Sequence, residues 1–191
     1  MKFIKDFWQR LKTPSKVAVG AVLGMGFAGG IMFWGAFNTV MEATNSEAFC
    51  GGCHEPLTVE IQETIHFSNR SGVRAICSDC HVPHTWTEKI VRKVQASKEV
   101  FAFVMGTIDT PEKFEARRLH LAEREWARMK KNDSRECRNC HEFEYMDFSE
   151  QRPRSVAMHS TALANGDKTC VDCHKGIAHR LPDMKGVEGW Q

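Results

Sequence analysis

The sequence has no cysteine to spare and no surplus of charge. Its 26 basic and 24 acidic residues leave a formal net charge of +2, so it lacks the basic field that nucleic-acid binding draws on. All 8 cysteines fall within one recurring pattern, which leaves none for a disulfide or a catalytic thiol. Charge is absent altogether from residues 17–37, a run of 21 reading VAVGAVLGMGFAGGIMFWGAF. Much of the apolar content lies near this end, so the rest of the chain has little with which to build a core.

What the chain does have is one pentapeptide in four copies. Cys50-Gly51-Gly52-Cys53-His54, Cys77-Ser78-Asp79-Cys80-His81, Cys137-Arg138-Asn139-Cys140-His141 and Cys170-Val171-Asp172-Cys173-His174 all read C-x-x-C-H. This is the attachment signature of c-type haem. The two thiols add to the vinyl groups of one porphyrin, and the adjoining histidine is held under the iron as an axial ligand. Paired C-x-x-C could instead build four-cysteine zinc sites, and a single pair could be a thioredoxin-type redox motif. Neither needs a histidine directly after the second cysteine. The motifs thus predict four covalent haem c groups, with His54, His81, His141 and His174 as proximal iron ligands. Residues 38–191 are too few to form a conventional core and also wrap four large macrocycles. The haems must be much of the core, and the expected fold is mainly α and loop-rich, with little or no sheet.

Residues 1–16 form a basic arm, with Lys2, Lys5, Arg10, Lys12 and Lys16 against the single acid Asp6. Phe3, Ile4, Phe7, Trp8 and Leu11 recur at helical spacing beside these charges, the pattern of an interfacial helix on anionic lipid that Pro14 would end or bend. About 20 residues span the hydrocarbon layer, so residues 17–37 read as one transmembrane helix. An uncleaved signal-anchor fits better than a cleaved signal peptide, whose apolar core is about 7–15 residues and ends at an A-x-A-like site. The basic arm before the span, against Glu42 and Glu47 after it, puts the N-terminus in the cytoplasm and residues 38–191 in the periplasm. Gly20, Gly24, Gly26 and Gly30 give small-xxx-small spacings on which the anchor could form a homo-oligomer.

The haem-bearing part shows a duplication. His66 precedes Cys77 by the same interval as His159 precedes Cys170, and each half closes on a further histidine, His84 or His179. Two dihaem units, about 50–84 and 137–179, are joined by a helical linker over 86–131. Four lone histidines in repeated positions match four haems, so His66, His84, His159 and His179 are the expected distal iron ligands. Spacing leaves open which of them serves which haem. His120 has no counterpart in the repeat and reads as an exposed helix residue.

In the linker, residues 86–104 form a helix with Trp86, Ile90, Val94 and Phe101 on an apolar stripe. Lys89, Arg92, Lys93 and Lys98 give it a basic side. It could lie on lipid headgroups or simply pack on the haems. Thr110 and Pro111 start a second helix, running to about Lys131. Its buried side is Phe114, Leu119, Ala122, Trp126 and Met129, its mixed charges form a solvated face, and Asn132 with Asp133 stops it.

The anchor, the two dihaem repeats and the stretches NRSGVRAICSDCHVPH, DTPEKFEARRL, ECRNCHEFEYMDF and TCVDCHKGIAHRLPDM resemble the NapC/NirT family of membrane-anchored tetrahaem cytochromes c. The likeness covers essentially the whole chain and is strongest to the branch tied to periplasmic nitrate reduction. It implies a quinol dehydrogenase of the bacterial inner membrane. Such a protein takes electrons from the membrane quinol pool and passes them through four haems to a periplasmic reductase or its dihaem cytochrome subunit. A passive relay fed by another membrane subunit, or a donor to a different reductase, is the alternative. The distal ligands carried over from the family fall on His66, His84, His159 and His179. The family's quinol pocket pairs a lysine and a carboxylate six residues apart beside the first haem, and Lys93 and Glu99 match. On that reading Lys93 would hydrogen-bond a quinol oxygen and Glu99 would take its proton. The sequence departs from one branch, which ligates haem 1 with a methionine just after the first motif. Here Glu55, Pro56 and Leu57 follow His54, and no methionine lies between Met41 and Met105.

Overall fold

The structure, a computed structural model of the chain, describes residues 2–12 and 19–187. The break expected at Pro14, the charge of Lys16, and Val17 and Ala18 at the head of the apolar run lie outside the described residues. The chain divides into two compact units, residues 1–43 and 44–191.

In the first unit, α1 (Lys2–Lys12) carries Phe3, Ile4, Phe7 and Trp8 exposed. Helix α2 (Val19–Ala43) has 25 residues. At 1.5 Å per residue it is about 37 Å long, enough for the roughly 30 Å hydrocarbon layer. It runs past Phe37, where the first polar side chains turn back on their own helix: Asn38 Nδ2 donates to the Trp34 carbonyl at 2.8 Å and Thr39 Oγ1 to that of Gly35 at 2.9 Å.

The second unit consists of short helices: α3 (Glu47–Gly51), α4 (Glu55–Gln62), α5 (Cys77–His81), α6 (Trp86–Val104), α7 (Pro111–Glu115), α8 (Arg118–Lys131), α9 (Arg135–Arg138), α10 (Pro153–Met158) and α11 (Cys170–Cys173). A π-helical turn over His159–Leu163 extends α10. No strand occurs among the described residues. Among the described residues the buried apolar side chains there are Ile61, Ile108, Phe114 and Val171. That is a small core, as the motif count required.

Helix α6 has the expected bounds but an unexpected orientation. Trp86, Val94 and Phe101 of the apolar stripe are exposed, while Arg92, Lys93, Ala96, Glu99 and Phe103 are half-buried. The basic side is therefore partly an inner face. The second linker helix is two helices, parted at Ala116 and Arg117. Thr110 caps α7, its Oγ1 accepting from the Lys113 N–H at 3.4 Å, and Phe114 is buried as expected. Arg117 N–H then bonds to the Phe114 carbonyl, a tighter turn that starts α8 afresh and brings Arg118 inside. The face expected to be solvated is also corrected: Arg118 is buried and Glu125 and Arg128 are half-buried, each with a charged partner. His120 is exposed, as read.

The strongest of these pairings is at Glu60, whose side chain is 1% exposed. Arg118 grips it bidentately, Nη2 to Oε1 at 2.5 Å and Nη1 to Oε2 at 3.0 Å, and Nη1 also donates to the Arg180 carbonyl at 3.1 Å. The Arg180 N–H completes the cluster, donating to Oε2 at 3.0 Å. Burial by itself would push the Glu60 carboxyl up, but the bonds from Arg118 and Arg180 and their charges hold it below the usual carboxylate range. Removing one partner of a buried pair leaves an unpaired charge and costs about 3–5 kcal/mol. Arg118→Met should lower the denaturant stability of the holoprotein by about that much. Because the folded pKa of Glu60 lies below its ordinary 4.5, the contribution is complete above that pH and is lost as pH falls below it. An unfolding midpoint unmoved in Arg118→Met would contradict this.

Candidate functional site

Each C-x-x-C-H winds through about one helical turn. The His54, His141 and His174 N–H groups donate to the carbonyls of Cys50, Cys137 and Cys170 at 3.0, 2.9 and 2.8 Å, and the second motif is itself α5. In the second and fourth copies an aspartate fixes the entry. Asp79 Oδ2 accepts from the Ile76 N–H at 2.9 Å, and Asp172 Oδ2 accepts from the Thr169 N–H at 2.8 Å. The Cys50 side chain lies beside that of Cys77, and the Cys137 side chain beside that of Cys170. The same contact thus recurs in each half. Helix α5 also packs on α9, and α11 on α8. Buried Ser134, at φ 50°, joins the third and fourth motifs by accepting from the Val171 N–H at 3.1 Å.

Three of the four lone histidines meet an attachment histidine ring to ring. His66 faces His141 with centroids 6.2 Å apart, His179 faces His81 at 6.2 Å, and His159 faces His174 at 6.0 Å. Imidazole nitrogens bind a metal at about 2.0–2.1 Å, and with each ring centre about 1 Å further back, two such rings stand about 6 Å apart. These pairs therefore fit one iron each. Burial, then the neighbouring His81, push His179 down to about 4, and burial with His159 lowers His174. A neutral imidazole is the form a metal ligand needs. The four-cysteine zinc alternative finds no support: among the described residues no group of three or more His, Cys, Asp and Glu converges on a point.

The ring contacts cross between the two halves. His66 lies in the first half yet faces the third motif, and His179 closes the second half yet faces the second motif. His84 is exposed, and among the described residues no ring contact joins it to an attachment histidine. What faces His54 is Glu99, with Oε2 3.6 Å from Nε2. Replacing His84 with alanine should accordingly leave the spectra of all the six-coordinate haems unchanged. A new high-spin band in that variant would restore His84 as a ligand.

Glu99 also holds Arg124 Nη2 at 3.2 Å and Arg92 Nη1 at 3.5 Å. Its burial would raise the carboxyl, but His54, Arg92 and Arg124 outweigh it and keep the group below the usual carboxylate range. Lys93 donates from Nζ to Thr44 Oγ1 at 2.7 Å, and both Lys93 and His54 lie within electrostatic reach of Cys50. The structure thus brings the two expected quinol-site residues to the first attachment motif, by separate contacts.

A group that the sequence did not single out lies beside the second motif. His81 Nδ1 donates to Glu125 Oε1 at 2.8 Å. Arg128 Nε donates to the same oxygen at 2.9 Å, and its Nη2 donates to the Cys80 carbonyl at 3.2 Å. The one available signal was an acid on α8 a turn from Leu121 and Ala122, which pattern alone assigns to solvent.

The NapC/NirT cytochrome c family model, N-terminal region, matches residues 12–184. The chain belongs to the NapC/NirT cytochrome c family. It is 55% identical to the cytochrome c-type protein NapC of Escherichia coli (strain K12) over 97% of this chain and 94% of that protein. It is 56% identical to NapC of Paracoccus pantotrophus over 96% and 80%, and 55% identical to the denitrification system component NirT of Stutzerimonas stutzeri over 91% and 88%. No solved structure matches it. As a member of this NapC/NirT family the chain is a membrane-anchored, electron-transfer cytochrome carrying haem c.

Proposed function

We propose that the chain is a quinol dehydrogenase that draws on the membrane quinol pool and supplies a periplasmic nitrate reductase. The observation that carries this reading is the pairing of Glu99 with His54 beside the first attachment motif, with Lys93 bonded to Thr44 near the same cysteine. Equal identity to NapC and NirT relatives makes another denitrification reductase the second candidate acceptor. Helix α2 anchors the chain in the inner membrane, with the basic arm cytoplasmic and the second unit periplasmic.

The proposed ligand sets are His81 with His179, His141 with His66, and His174 with His159, leaving His54 with Glu99 nearby. Each haem, when bound, supplies a one-electron carrier, so four of them can divide the two electrons of a quinol and pass them on singly. Quinol oxidation releases two protons with those two electrons. Lys93, a donor with three N–H groups, can bond a quinol oxygen and favour the developing negative charge. Glu99, kept ionised by Arg92 and Arg124, is an acceptor for the hydroxyl proton. Arg92 spans Glu99 and Glu125, so it holds the carboxylates beside the first two motifs in fixed relation.

The test is reconstitution. Liposomes containing the holoprotein and a quinol should sustain nitrate reduction by added soluble nitrate reductase, with no other membrane protein present. Dependence on a second membrane protein would replace this reading with that of a passive relay.

A further inference from the structure

The haem-ligand histidines differ in what holds their other ring nitrogen. His159 Nδ1 donates to a neutral amide oxygen, Gln151 Oε1, at 2.7 Å. The Nδ1 atoms of His54, His66 and His179 are buried with no hydrogen-bond partner. Among the described residues only His81 has its Nδ1 hydrogen-bonded to a carboxylate, Glu125 Oε1 at 2.8 Å, on a side chain 20% exposed, whereas Glu60 Oε2 stands 4.0 Å from His179 Nδ1, beyond hydrogen-bond distance. A carboxylate on the far nitrogen of a metal-bound imidazole fixes the ring, draws its proton outward and makes it a stronger donor to the metal. A stronger donor favours the oxidised metal and lowers its potential.

We propose that Glu125 is a positioning residue that, acting through His81, makes the haem on Cys77 and Cys80 the hardest to reduce of the three bis-histidine haems. This rests on the ligand pairing given above. The surroundings suit the role. Arg128 holds Oε1 as well, and Arg92 approaches Oε2 at 3.9 Å while its Nε donates to the His81 carbonyl at 3.1 Å. The carboxylate is thereby clamped between two guanidinium groups that also grip the motif's backbone at His81 and Cys80. Its placement follows from the chain: α8 carries Glu125 and Arg128 three residues apart on one face, and α6 brings Arg92 across.

Helix α5 packs on both α3 and α9, so a low-potential haem on the second motif would stand between the first motif and the third.

The test is a potentiometric titration, with electron paramagnetic resonance, of the full-length holoprotein and its Glu125→Gln variant. One low-spin haem should become about tenfold easier to reduce, or about 59 mV for one electron, and its g-values should shift while the others stay fixed. Glu136→Gln is the control. Glu136 takes the same arginine, Arg128 Nη1 at 3.2 Å, and Asn132, and among the described residues it bonds to no histidine. That variant removes one nearby charge without touching a ligand, and should move the potential less and leave the g-values alone. Three low-spin haems in the parent with none shifted in Glu125→Gln would overturn the tuning role. An equal shift in Glu136→Gln would overturn the part played by His81. Fewer than three low-spin haems in the parent would overturn the ligand pairing beneath it.

Discussion

Glu99→Gln should slow the reduction of the haems by quinol by about 10²-fold or more, the range for loss of a positioned general base, while all four haems remain attached. The substitution keeps the shape of the side chain and removes its charge and its capacity to take a proton. Its neighbours explain why the native group is ready to act. Arg92 and Arg124 lie within 3.5 Å of a carboxylate oxygen, and their charges favour the ionised form despite burial. Glutamine in that place can still accept a hydrogen bond but cannot carry off the quinol proton. Reduction by dithionite needs no proton acceptor and should proceed at the parent rate. The comparison of the two reductants, by stopped-flow absorbance, thus separates damage to the site from damage to the haems. Quinol kinetics unchanged in the variant would remove Glu99 from the mechanism.

The second large effect concerns ligands exchanged between the halves. His66→Ala should convert the haem of the third motif to a high-spin form, and His179→Ala that of the second, because those are the rings they face. The ring angles make the two cases separable. The His66 and His141 planes stand at 76°, whereas His81 with His179 and His159 with His174 stand at 32° and 31°. Near-parallel imidazoles split the iron dπ orbitals, while near-perpendicular ones leave them almost degenerate and give a more anisotropic low-spin signal. His66→Ala should therefore delete the most anisotropic resonance, and His179→Ala one of the other two. Deletion of the same signal by both substitutions would contradict the pairing. His179→Ala should also leave the fourth haem intact, although His174 is its nearest attachment histidine in sequence.

Local chemistry was legible in the sequence, and long-range partnership was not. The four motifs, the long apolar helix, the bounds of α6 and the Thr110 cap follow from spacing and from one or two residues each. The choice of distal ligand does not, because His66 and His141, like His179 and His81, are far apart in the chain and meet only through tertiary packing. Repeat symmetry points to His84 for the same reason that it points to His179: it counts positions, whereas the ring contacts join His66, His159 and His179 to attachment histidines. The charged side of α8 departs from its pattern in a related way. A charge pattern assigns Arg118, Glu125 and Arg128 to water unless their partners are known, and those partners, Glu60, His81 and Glu136, lie on other elements. Lys93 and Glu99 were found by likeness to a family; no periodicity would have chosen them from the charges of α6.

The central claim is that this chain oxidises quinol by itself. It is tested most directly by mixing the purified, detergent-solubilised holoprotein anaerobically with a reduced quinol analogue and following the haem bands. The reduced bands should grow rapidly, and a quinone-site inhibitor should block that growth. Bands that dithionite reduces and quinol does not would contradict it.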